Sequence, residues 1–493
     1  MTAPKKPAEP ASSSAPSKPA EPSIEFDPLD ETTIPIEGLK PRISVIGTGY
    51  LGATHAAAMA EMGFDVIGVD TDPTKVEALS AGRVPFFEPG LPELIVKHVG
   101  SGRLRFTSDL ADAVATSDVH FICVGTPQRR GSHSANLSYV EAATTAVAES
   151  LSHDGLIVGK STVPVGTAAR LRKIVAASKP RGVEAQVVWN PEFLREAHAV
   201  DDTLRPDRIV FGGTDASSEA VLRTIYAAPI ATGTPVISCD LATAELVKVS
   251  ANAFLATKIS FINAISELCE VAGADVSVLA DALGHDERIG RKFLNAGLGF
   301  GGGCLPKDIR ALMYRANELG AGRVVGLMQE VDEINMLQRQ RVIDQAIDAC
   351  GGSVLNRKIA VLGAAFKPDT DDVRDSPALN VAAALHLRGA QVLVIDPEAS
   401  VTAQRSFPTL SFADSLDEAV TDADVVLLLT EWPIFVNADP SHLAELAANP
   451  VVLDARNALD STVWSAAGWE VRPLGGRIVP RQRRVLEGAA LPA

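Results

Sequence analysis

The feature that most constrains the fold is a series of short apolar runs, each closed by a turn residue and followed by an amphipathic segment. Strands that are apolar along their whole length are buried on both faces, as in parallel sheets covered by helices. The pattern therefore predicts an α/β protein with two Rossmann-like doubly wound parallel-sheet domains. The runs form two groups. The first lies at residues 42–47, 63–70 and 117–127, and the second at residues 358–363, 389–397 and 423–430.

Between the two groups, helical periodicity replaces the β-rich runs. Residues 241–272 carry small and apolar side chains about one turn apart, which predicts a long helix. Because 493 residues exceed the size of a single core, we expect separate domains with an active site in the cleft between them. The predicted segments are a disordered tail (1–38), a first Rossmann domain (39–232), a central helical domain (233–352), a second Rossmann-like domain (353–477) and a flexible tail (478–493).

Charge and cysteine usage exclude several classes of protein. A net charge of −16 argues against general attraction to nucleic acid or to anionic membranes. No stretch approaches the roughly 20 apolar residues that cross a bilayer. Five cysteines, odd in number and widely spaced, match neither a disulfide framework nor a zinc site. We therefore expect a cytoplasmic protein without a metal ion.

A glycine fingerprint marks the predicted cofactor end. It follows a predicted strand and opens a predicted helix, and Asp70 ends the next strand. Its glycines let the backbone approach a pyrophosphate, while Asp70 accepts hydrogen bonds from ribose hydroxyls and repels a 2′-phosphate. The pattern therefore predicts NAD rather than NADP, the alternative being a tight turn in any α/β domain. The predicted cofactor residues here are Gly47, Gly49, Tyr50, Leu51, Gly52 and Asp70.

Two further residues near this end have weaker signals. Lys75 follows in the next turn and can add charge near the adenosine ribose, although a solvated surface lysine has the same sequence signature. Thr126 closes a later strand, at the edge where ligands of open α/β sheets bind, and a simple Thr-Pro turn is the alternative. We include both residues in the predicted site.

Cys304 is the strongest candidate nucleophile. It follows a glycine-rich loop that begins at Gly297, and Pro306 starts a helical pattern directly after it. At a helix N-terminus the dipole and the free N–H groups stabilise a thiolate, which is the reactive form. Asp308, about one turn later, can lie beside the sulfur, although the dipole alone favours a carboxylate there. The other four cysteines are interpreted as buried and inert.

Polar residues on the long helix and in one loop complete the predicted centre. Lys248 and Asn252 share a helix face with Glu245, so the lysine can polarise an oxygen and the asparagine can donate to an oxyanion. A Glu–Lys surface pair is the alternative. Glu192 and Glu196 lie four apart in a strand-end loop, a spacing that suits proton transfer or water activation.

In the second Rossmann-like domain, Lys367 and Arg456 follow predicted strands. Basic groups at such positions can bind a diphosphate that the acidic surface otherwise repels.

Taken in order, these motifs resemble the UDP-glucose/GDP-mannose dehydrogenase family from about residue 40 to 475. The resemblance implies that Cys304 is the nucleophile, with Lys248, Asn252 and Asp308 beside it and Thr126 in the site. It also implies thioester hydrolysis for Glu192, and positions near NAD for Glu196 and Arg374. The second Rossmann-like domain would bind a nucleotide sugar. The implied substrate residues are Glu192, Phe193, Leu194, Lys248, Asn252, Arg288, Phe300, Gly301, Lys367 and Arg456.

The family reaction implied is NAD-dependent four-electron oxidation of a sugar C6 alcohol to the carboxylate, through a thiohemiacetal and a thioester on Cys304. Residues 287–294 resemble the UDP-glucose branch, with GDP-mannose or another UDP-sugar as alternatives. The resemblance also implies a homodimer or higher homo-oligomer through the central helices, with Arg288 reaching the neighbouring subunit's site. Departures from the common pattern are Ala197, Asn295, Gly303 and Ala455.

Two rivals to this function remain. One is a single-step β-hydroxyacid-type dehydrogenase, which needs neither the glycine-rich cysteine nor a second nucleotide domain. The other, from a different class, is a non-catalytic nucleotide-sugar-binding protein, against which the joint presence of Cys304, Lys248 and Asp308 argues.

Overall fold

The computed structural model describes residues 40–482, so the predicted tail at 1–38 and residues 483–493 of the second tail lie outside the described part. The first domain is built on an eight-stranded sheet of order β3-β2-β1-β4-β5-β6-β7-β8. Its strands are β1 Ile43–Ile46, β2 Val66–Val69, β3 Leu104–Thr107, β4 Val119–Ile122, β5 Gly155–Gly159, β6 Ala185–Trp189, β7 Ile209–Gly212 and β8 Val236–Cys239.

The first six positions of this sheet are parallel, because each strand is followed by a crossover that contains a helix. β7 departs from that pattern: it pairs antiparallel with β6 through Trp189 and Gly212, and β8 then pairs in parallel with β7. The sheet therefore extends to Cys239, beyond the predicted boundary at residue 232.

Helices cover both faces of this sheet, as doubly wound topology requires. Glycines allow close packing where the strands end: a Cβ on Gly159 would lie 2.0 Å from the Trp189 ring, and one on Gly212 would lie 2.4 Å from Ala244. The helices are α1 Tyr50–Glu61, α2 Pro73–Ser80, α3 Leu91–Gly100, α4 Leu110–Ala115, α5 Ser138–Ser150, α6 Thr167–Ser178, α7 Ala199–Leu204, α8 Ala216–Ile225 and α9 Ala227–Ala231.

The central region contains the predicted long helix, α10, over Leu241–Ala272. The Asp240 side chain caps its start by accepting from Thr243 N, and Gly273 ends it in a left-handed conformation (φ +70°). Three further helices accompany it, and α10 contacts all three of them. These are α11 Val276–Gly284, α12 Leu305–Glu318 and α13 Gly322–Ala349.

The second Rossmann-like domain has a fully parallel six-stranded sheet of order β11-β10-β9-β12-β13-β14. Its strands are β9 Lys358–Leu362, β10 Gln391–Ile395, β11 Ser411–Phe412, β12 Val425–Leu428, β13 Val451–Asp454 and β14 Glu470–Pro473. Its helices are α14 Pro377–Leu387, α15 Ser400–Ser406, α16 Leu416–Val420, α17 Pro433–Val436, α18 Pro440–Leu446 and α19 Ser461–Ala466.

The predicted fold class, two doubly wound α/β domains joined by central helices, is confirmed. The second sheet domain continues slightly past the predicted boundary at 477, because Val479 forms an antiparallel bridge with Val471. Within residues 40–482, no helix combines the length and apolarity that a bilayer span requires. The same residues contain no group of three His, Cys, Asp or Glu side chains arranged to hold a metal ion.

Candidate active site

Cys304 lies at the N-cap of α12, directly before the first turn, as predicted from Pro306. Cys304 is exposed to solvent, although neighbouring residues surround its thiol closely. The preceding loop needs its glycines: a Cβ on Gly301 would lie 2.5 Å from the backbone oxygen of Asp375, and Gly302 has φ +82°. The loop can therefore bring backbone close to a ligand in a way that a chain with side chains there could not.

Gly303 has a specific structural reason to be glycine. A Cβ there would lie 2.2 Å from Cζ of Arg374. The Arg374 guanidinium thus occupies the volume beside Cys304 that a larger residue at 303 would fill.

Asn252 of α10 and Asp308 of α12 are in direct contact, which the sequence analysis did not predict. Asn252 Nδ2 donates to Asp308 Oδ2 at 2.6 Å, and Asp308 is 2% exposed. Lys307 Nζ donates to the other carboxylate oxygen of Asp308. A buried carboxylate with both oxygens bonded has a fixed orientation, so Asp308 holds the Asn252 amide in place. Asp308 itself is close enough to the Cys304 thiol to act on its pKa.

The electrostatic surroundings of Cys304 differ from the expectation of a thiolate stabilised by its helix. Burial raises the pKa of the Cys304 thiol, and the negative charges of Asp308 and Glu196 raise it further. Lys248 and Lys307 act in the opposite direction without cancelling the rise. In the protein without ligands the thiol is therefore protonated at neutral pH, and its activation needs a base or a change in the surrounding charges.

This arrangement predicts a pH and charge dependence of thiol alkylation. The rate of Cys304 alkylation by iodoacetamide should rise with pH through and beyond pH 9, because the thiolate fraction increases. Asp308→Asn should raise the rate at pH 7.5 by about 3-fold to 10-fold, since it removes a negative neighbour. Mass spectrometry of the Cys304 peptide gives the rate. Glu318→Gln, at the other end of α12, is the control; an unchanged rate in Asp308→Asn would contradict the electrostatic account.

Lys248 projects from α10 toward the loop after β6, where its Nζ lies 5.5 Å from the centre of the Phe193 ring. Arg208 stacks on the same ring, with Cζ at 3.9 Å from its centre. Within residues 40–482 no carboxylate forms an ion pair with Lys248. The ammonium group is therefore held by an aromatic face and stays available to a ligand oxygen.

The Glu–Lys surface pair considered as the alternative for Lys248 is wrong. Glu245 is 2% exposed and turns to the first domain, where it accepts from Gly166 N at 2.7 Å and Ala168 N at 2.6 Å. Those N–H groups begin α6, so Glu245 caps that helix and ties it to α10.

Glu192 and Glu196 occupy different environments, although they lie in one loop. Glu192 Oε1 accepts from Phe193 N at 2.8 Å and Leu194 N at 3.2 Å, and Oε2 pairs with Lys160 at 2.9 Å. Lys160 was not among the predicted residues. Its sequence signal is a lone lysine at the carboxyl end of an apolar strand, where parallel sheets bind ligands.

Glu196 is positioned for proton transfer. Burial, together with the nearby carboxylate of Asp372, raises the pKa of Glu196 to about 7, whereas Arg374 opposes the rise. Arg374 Nη2 donates to Glu196 Oε1 at 3.1 Å. The Glu196 carboxyl group is buried and interacts with the Asp372 carboxylate. A carboxyl group with a pKa near neutrality can both give and accept a proton.

Lys367 joins the second sheet domain to this loop. Its Nζ donates to the backbone oxygen of Glu196, and burial lowers the pKa of Lys367. Ala197, the next residue, has φ +69°, a left-handed conformation that glycine adopts with less strain.

The glycine loop between β1 and α1 has the backbone geometry that a dinucleotide needs. A Cβ on Gly52 would lie 1.8 Å from the backbone oxygen of Gly47, whereas one on Gly49 would meet nothing within 4 Å. The open side of Gly49 lies at the start of α1, whose first N–H groups have no side-chain cap. Leu51 is half-buried in the first turn. The loop thus leaves space for an anionic group against the helix N-terminus.

Asp70 ends β2 beside this loop. It accepts from Thr48 N at 2.9 Å and Asp72 N at 3.0 Å, and Lys75 Nζ lies 3.5 Å from Oδ2. Although burial acts against ionisation, these backbone hydrogen bonds and Lys75 lower the pKa of Asp70. The residue therefore carries a full negative charge at neutral pH where the predicted ribose binds.

Asp70→Ser should relax the discrimination between NAD and NADP. Removal of the fixed charge removes its repulsion of a 2′-phosphate, so the ratio of kcat/KM for NAD over NADP should fall about 10-fold to 100-fold. Steady-state rates with each cofactor give the ratio. Asp72→Asn, which removes a neighbouring charge and keeps a helix cap, is the control; an unchanged ratio in Asp70→Ser would refute this role.

Tyr50 forms a hydrogen bond with Glu88, a residue that the sequence analysis did not single out. Its hydroxyl donates to Glu88, and Ala197 N donates to the same Glu88 oxygen at 2.8 Å. Ala199 N donates to the other oxygen at 2.7 Å. Glu88 is 2% exposed, so a buried carboxylate links the fingerprint helix to the loop that carries Glu196. Its sequence signal, a glutamate in a Phe-Glu-Pro-Gly turn, is indistinguishable from that of a surface loop.

The remaining predicted residues fall into two groups. Three of them are anchored by hydrogen bonds: Thr126 Oγ1 donates to Thr162 O at 2.7 Å, Asn335 Oδ1 accepts from Phe300 N at 2.7 Å, and Arg456 Nε donates to Leu429 O at 2.6 Å. Arg456 also reaches Gly299 O at 3.3 Å. Arg288 is different, because 88% of its side chain is exposed and, among residues 40–482, it forms an ion pair with Asp286 alone.

Comparison with known proteins matches three consecutive segments to one family. Residues 41–230 match the NAD binding domain of the UDP-glucose/GDP-mannose dehydrogenase family, residues 242–336 its central domain and residues 360–461 its UDP binding domain.

Individual relatives match along most of their length. A UDP-glucose 6-dehydrogenase of Rhizobium meliloti is 44% identical over 84% of this chain and 95% of its own. The UDP-glucose 6-dehydrogenase TuaD of Bacillus subtilis is 42% identical over 88% of this chain and 93% of its own. The structure of a UDP-glucose dehydrogenase from Pyrobaculum islandicum superposes with a TM-score of 0.82 at 37% identity, covering 88% of this chain and 98% of that one.

Proposed function

The chain belongs to the UDP-glucose/GDP-mannose dehydrogenase family of NAD-dependent oxidoreductases, and on that premise we propose that it oxidises UDP-glucose to UDP-glucuronate in two successive steps. The predicted family resemblance and the predicted cofactor, NAD, are confirmed. The observation that carries the proposed chemistry is the meeting of Cys304 with Asp308, Asn252 and Lys248 at the start of α12.

The cofactor site fits NAD by its own geometry. Gly49 offers the open face against the N-terminus of α1, and Asp70 supplies the fixed charge that suits a free 2′-hydroxyl. Bound NAD supplies the hydride acceptor, one equivalent for each oxidation. Glu196 and Arg374, which contact each other beside Cys304, border the same cleft from two domains.

The chain's own residues provide the remaining chemistry. The Cys304 sulfur adds to the aldehyde carbon, which forms a thiohemiacetal; after the second oxidation the sugar is held as a thioester. Lys248 and Asn252 stabilise the negative oxygen that develops: the Lys248 ammonium lies over the Phe193 ring, and the Asn252 amide has a second N–H besides the one that Asp308 accepts. Asp308 and Glu196 are the carboxylates close enough to influence the thiol, so they handle its proton. Glu192 activates the water that releases the acid.

The substrate site combines the two sheet domains. Lys367 places a positive charge beside the loop of Glu196, and Arg456 places one beside the glycine loop that precedes Cys304. These charges can bind a diphosphate, which the acidic surface elsewhere repels. Phe193, Leu194, Phe300 and Gly301 supply the backbone and ring surface around the sugar.

A substrate panel tests the proposal. UDP-glucose should reduce NAD with a kcat/KM at least ten-fold above those for GDP-mannose and N-acetylated UDP-sugars. The relatives named above favour UDP-glucose. Absence of NADH production with every nucleotide sugar would favour a non-catalytic binding protein.

We also propose that the chain forms a homodimer through α10. Phe254, Phe261 and Leu268 recur about two turns apart on this helix and are 66%, 49% and 63% exposed. An aromatic and aliphatic stripe of this kind on a soluble surface marks an interface with another protein. A second copy would cover it and bring the exposed Arg288 toward the partner's cleft.

Phe261→Glu should convert the dimer to monomers, because it would bury a charge in the apolar stripe. Sedimentation at micromolar concentration measures the change, and activity should fall with it because the partner's Arg288 is lost. Val401→Glu, which changes an exposed valine of the second sheet domain, should leave the dimer intact. A monomeric wild-type protein would contradict the proposal.

We place the enzyme in the cytoplasm, because its five cysteines are all free thiols, the state that a reducing compartment maintains. Recovery of the native protein in the cytoplasmic fraction of its cells tests this.

A further inference from the structure

A buried lysine that the scheme above does not use lies behind Glu192. Lys160 follows β5, and only 3% of its side chain is exposed. Its Nζ lies 2.9 Å from Glu192 Oε2 and donates to Asn190 Oδ1 at 3.1 Å and to Tyr226 OH at 3.2 Å. Burial acts against the charge, but Glu192 and Tyr226 outweigh it, so the pKa of Lys160 lies above its ordinary value. The ammonium group is therefore charged at neutral pH.

The partners of Lys160 are themselves anchored. Tyr226 OH donates to Asn190 Oδ1 at 2.6 Å, and Asn190 Nδ2 donates to Val210 O at 2.9 Å. The group thus joins the ends of β5 and β6, the strand β7 and the junction of α8 with α9. Because these elements belong to the sheet and its covering helices, Lys160 cannot shift without disturbing the domain core.

Glu192 is the member of this arrangement that the proposed mechanism uses. It lies in a loop, and its position is set by two backbone N–H groups on one oxygen and by Lys160 on the other. Phe193, the next residue, lies under Lys248, which in turn acts on the Cys304 thiol. The position of Glu192 relative to the reacting sulfur therefore depends on the fixed ammonium behind it.

A small pocket beside Glu192 has room for a water molecule. It is bordered by Lys160, Asn190, Glu192, Arg208 and Tyr226 among others, and the space open to the centre of a water molecule is about 20 Å³. That volume is enough for about one water, and the lining offers the several polar partners that such a water needs.

We propose that Lys160 is a positioning residue for hydrolysis of the Cys304 thioester, because it holds the Glu192 carboxylate in place to take a proton from the attacking water. The inference rests on the proposed function. In this step the water oxygen bonds to the acyl carbon, the carbon–sulfur bond breaks, Cys304 leaves as a thiolate and the water proton goes to Glu192. Lys160 transfers no proton; it acts only through Glu192.

The test separates oxidation from hydrolysis. Wild-type enzyme, Lys160→Gln and Lys160→Arg are mixed with NAD and UDP-glucose, the NADH burst is followed by absorbance, and acid-quenched enzyme is weighed by intact mass spectrometry. Lys160→Gln should keep a burst and then accumulate the sugar adduct on Cys304, with hydrolysis slowed about 10-fold to 100-fold. Lys160→Arg, which keeps the charge, should fall between it and the wild type. Lys173→Gln, on the exposed face of α6, is the matched control.

Each outcome decides the inference. Burst and hydrolysis slowed equally in folded Lys160→Gln, or no adduct, would overturn it, and so would a failure of arginine to restore hydrolysis. If Lys160→Gln does not fold, Lys160→Arg decides alone: selective adduct accumulation supports the role, and its absence refutes it. Wild-type enzyme that yields two NADH and UDP-glucuronate secures the proposed function first. If only the inference is wrong, the contrary result appears in the variants while the wild type still forms UDP-glucuronate. A wild-type enzyme that forms no NADH would mean that the proposed function itself is wrong.

Discussion

Cys304→Ser should lower the steady-state formation of UDP-glucuronate at least 10³-fold, because removal of a covalent nucleophile eliminates the path through the thioester. Serine keeps the size and the N-cap position of the residue at the start of α12. It lacks the acidity and nucleophilicity of a thiol, so the aldehyde cannot be held for the second oxidation. Product analysis by chromatography of the nucleotide sugars measures the loss.

Cys239→Ser is the matched control, since this half-buried cysteine ends β8 and lies outside the proposed centre. It should keep full turnover. Formation of UDP-glucuronate by Cys304→Ser within ten-fold of the wild-type rate would contradict a covalent role for Cys304.

Lys248→Met should lower kcat about 10²-fold to 10³-fold, the range measured when one oxyanion donor is removed from an enzyme. Methionine retains much of the packing on Phe193 and removes the positive charge. The loss should fall on kcat more than on KM, because the stabilised charge develops in the transition state. The thiol should also become harder to alkylate, since Lys248 opposes the rise in the pKa of Cys304.

Lys358→Met provides the comparison for this effect. Lys358 begins β9, where its Nζ donates to Thr421 O at 3.2 Å, at the sheet edge opposite the cleft. Its loss should leave kcat within two-fold of the wild-type value. If Lys248→Met raised KM alone, the lysine would bind substrate without taking part in the chemistry.

The parts of the molecule that short-range signals determine could be predicted from the sequence. The apolar periodicity of residues 241–272 predicted α10 with the bounds that the structure has, and Pro306 placed Cys304 at the start of a helix. In such segments the residues that decide the structure are neighbours in the chain, so the pattern carries the information.

Contacts between distant segments could not be predicted in this way. Glu245 caps α6, although its helical spacing favoured a pair with Lys248, because the preference depends on how α10 lies against the first domain. Lys160 and Glu88 bind partners many residues away, and a single charged residue in a loop has no distinctive local pattern. The antiparallel pairing of β7 likewise depends on a chain reversal that alternating strands and helices do not reveal.

The pKa of the Cys304 thiol could not be predicted from the sequence either. A helix N-terminus predicted a stabilised thiolate, but the structure adds burial and two carboxylates that raise the pKa of Cys304. Helix position is a local property, whereas desolvation and charge depend on the whole cleft.

The central claim, covalent four-electron oxidation, is tested most directly by the stoichiometry of the wild-type enzyme. A limiting amount of UDP-glucose is converted to completion with excess NAD, and NADH and UDP-glucuronate are both quantified. The account predicts two NADH and one UDP-glucuronate for each UDP-glucose consumed. One NADH per UDP-glucose, with release of the free aldehyde, would contradict it.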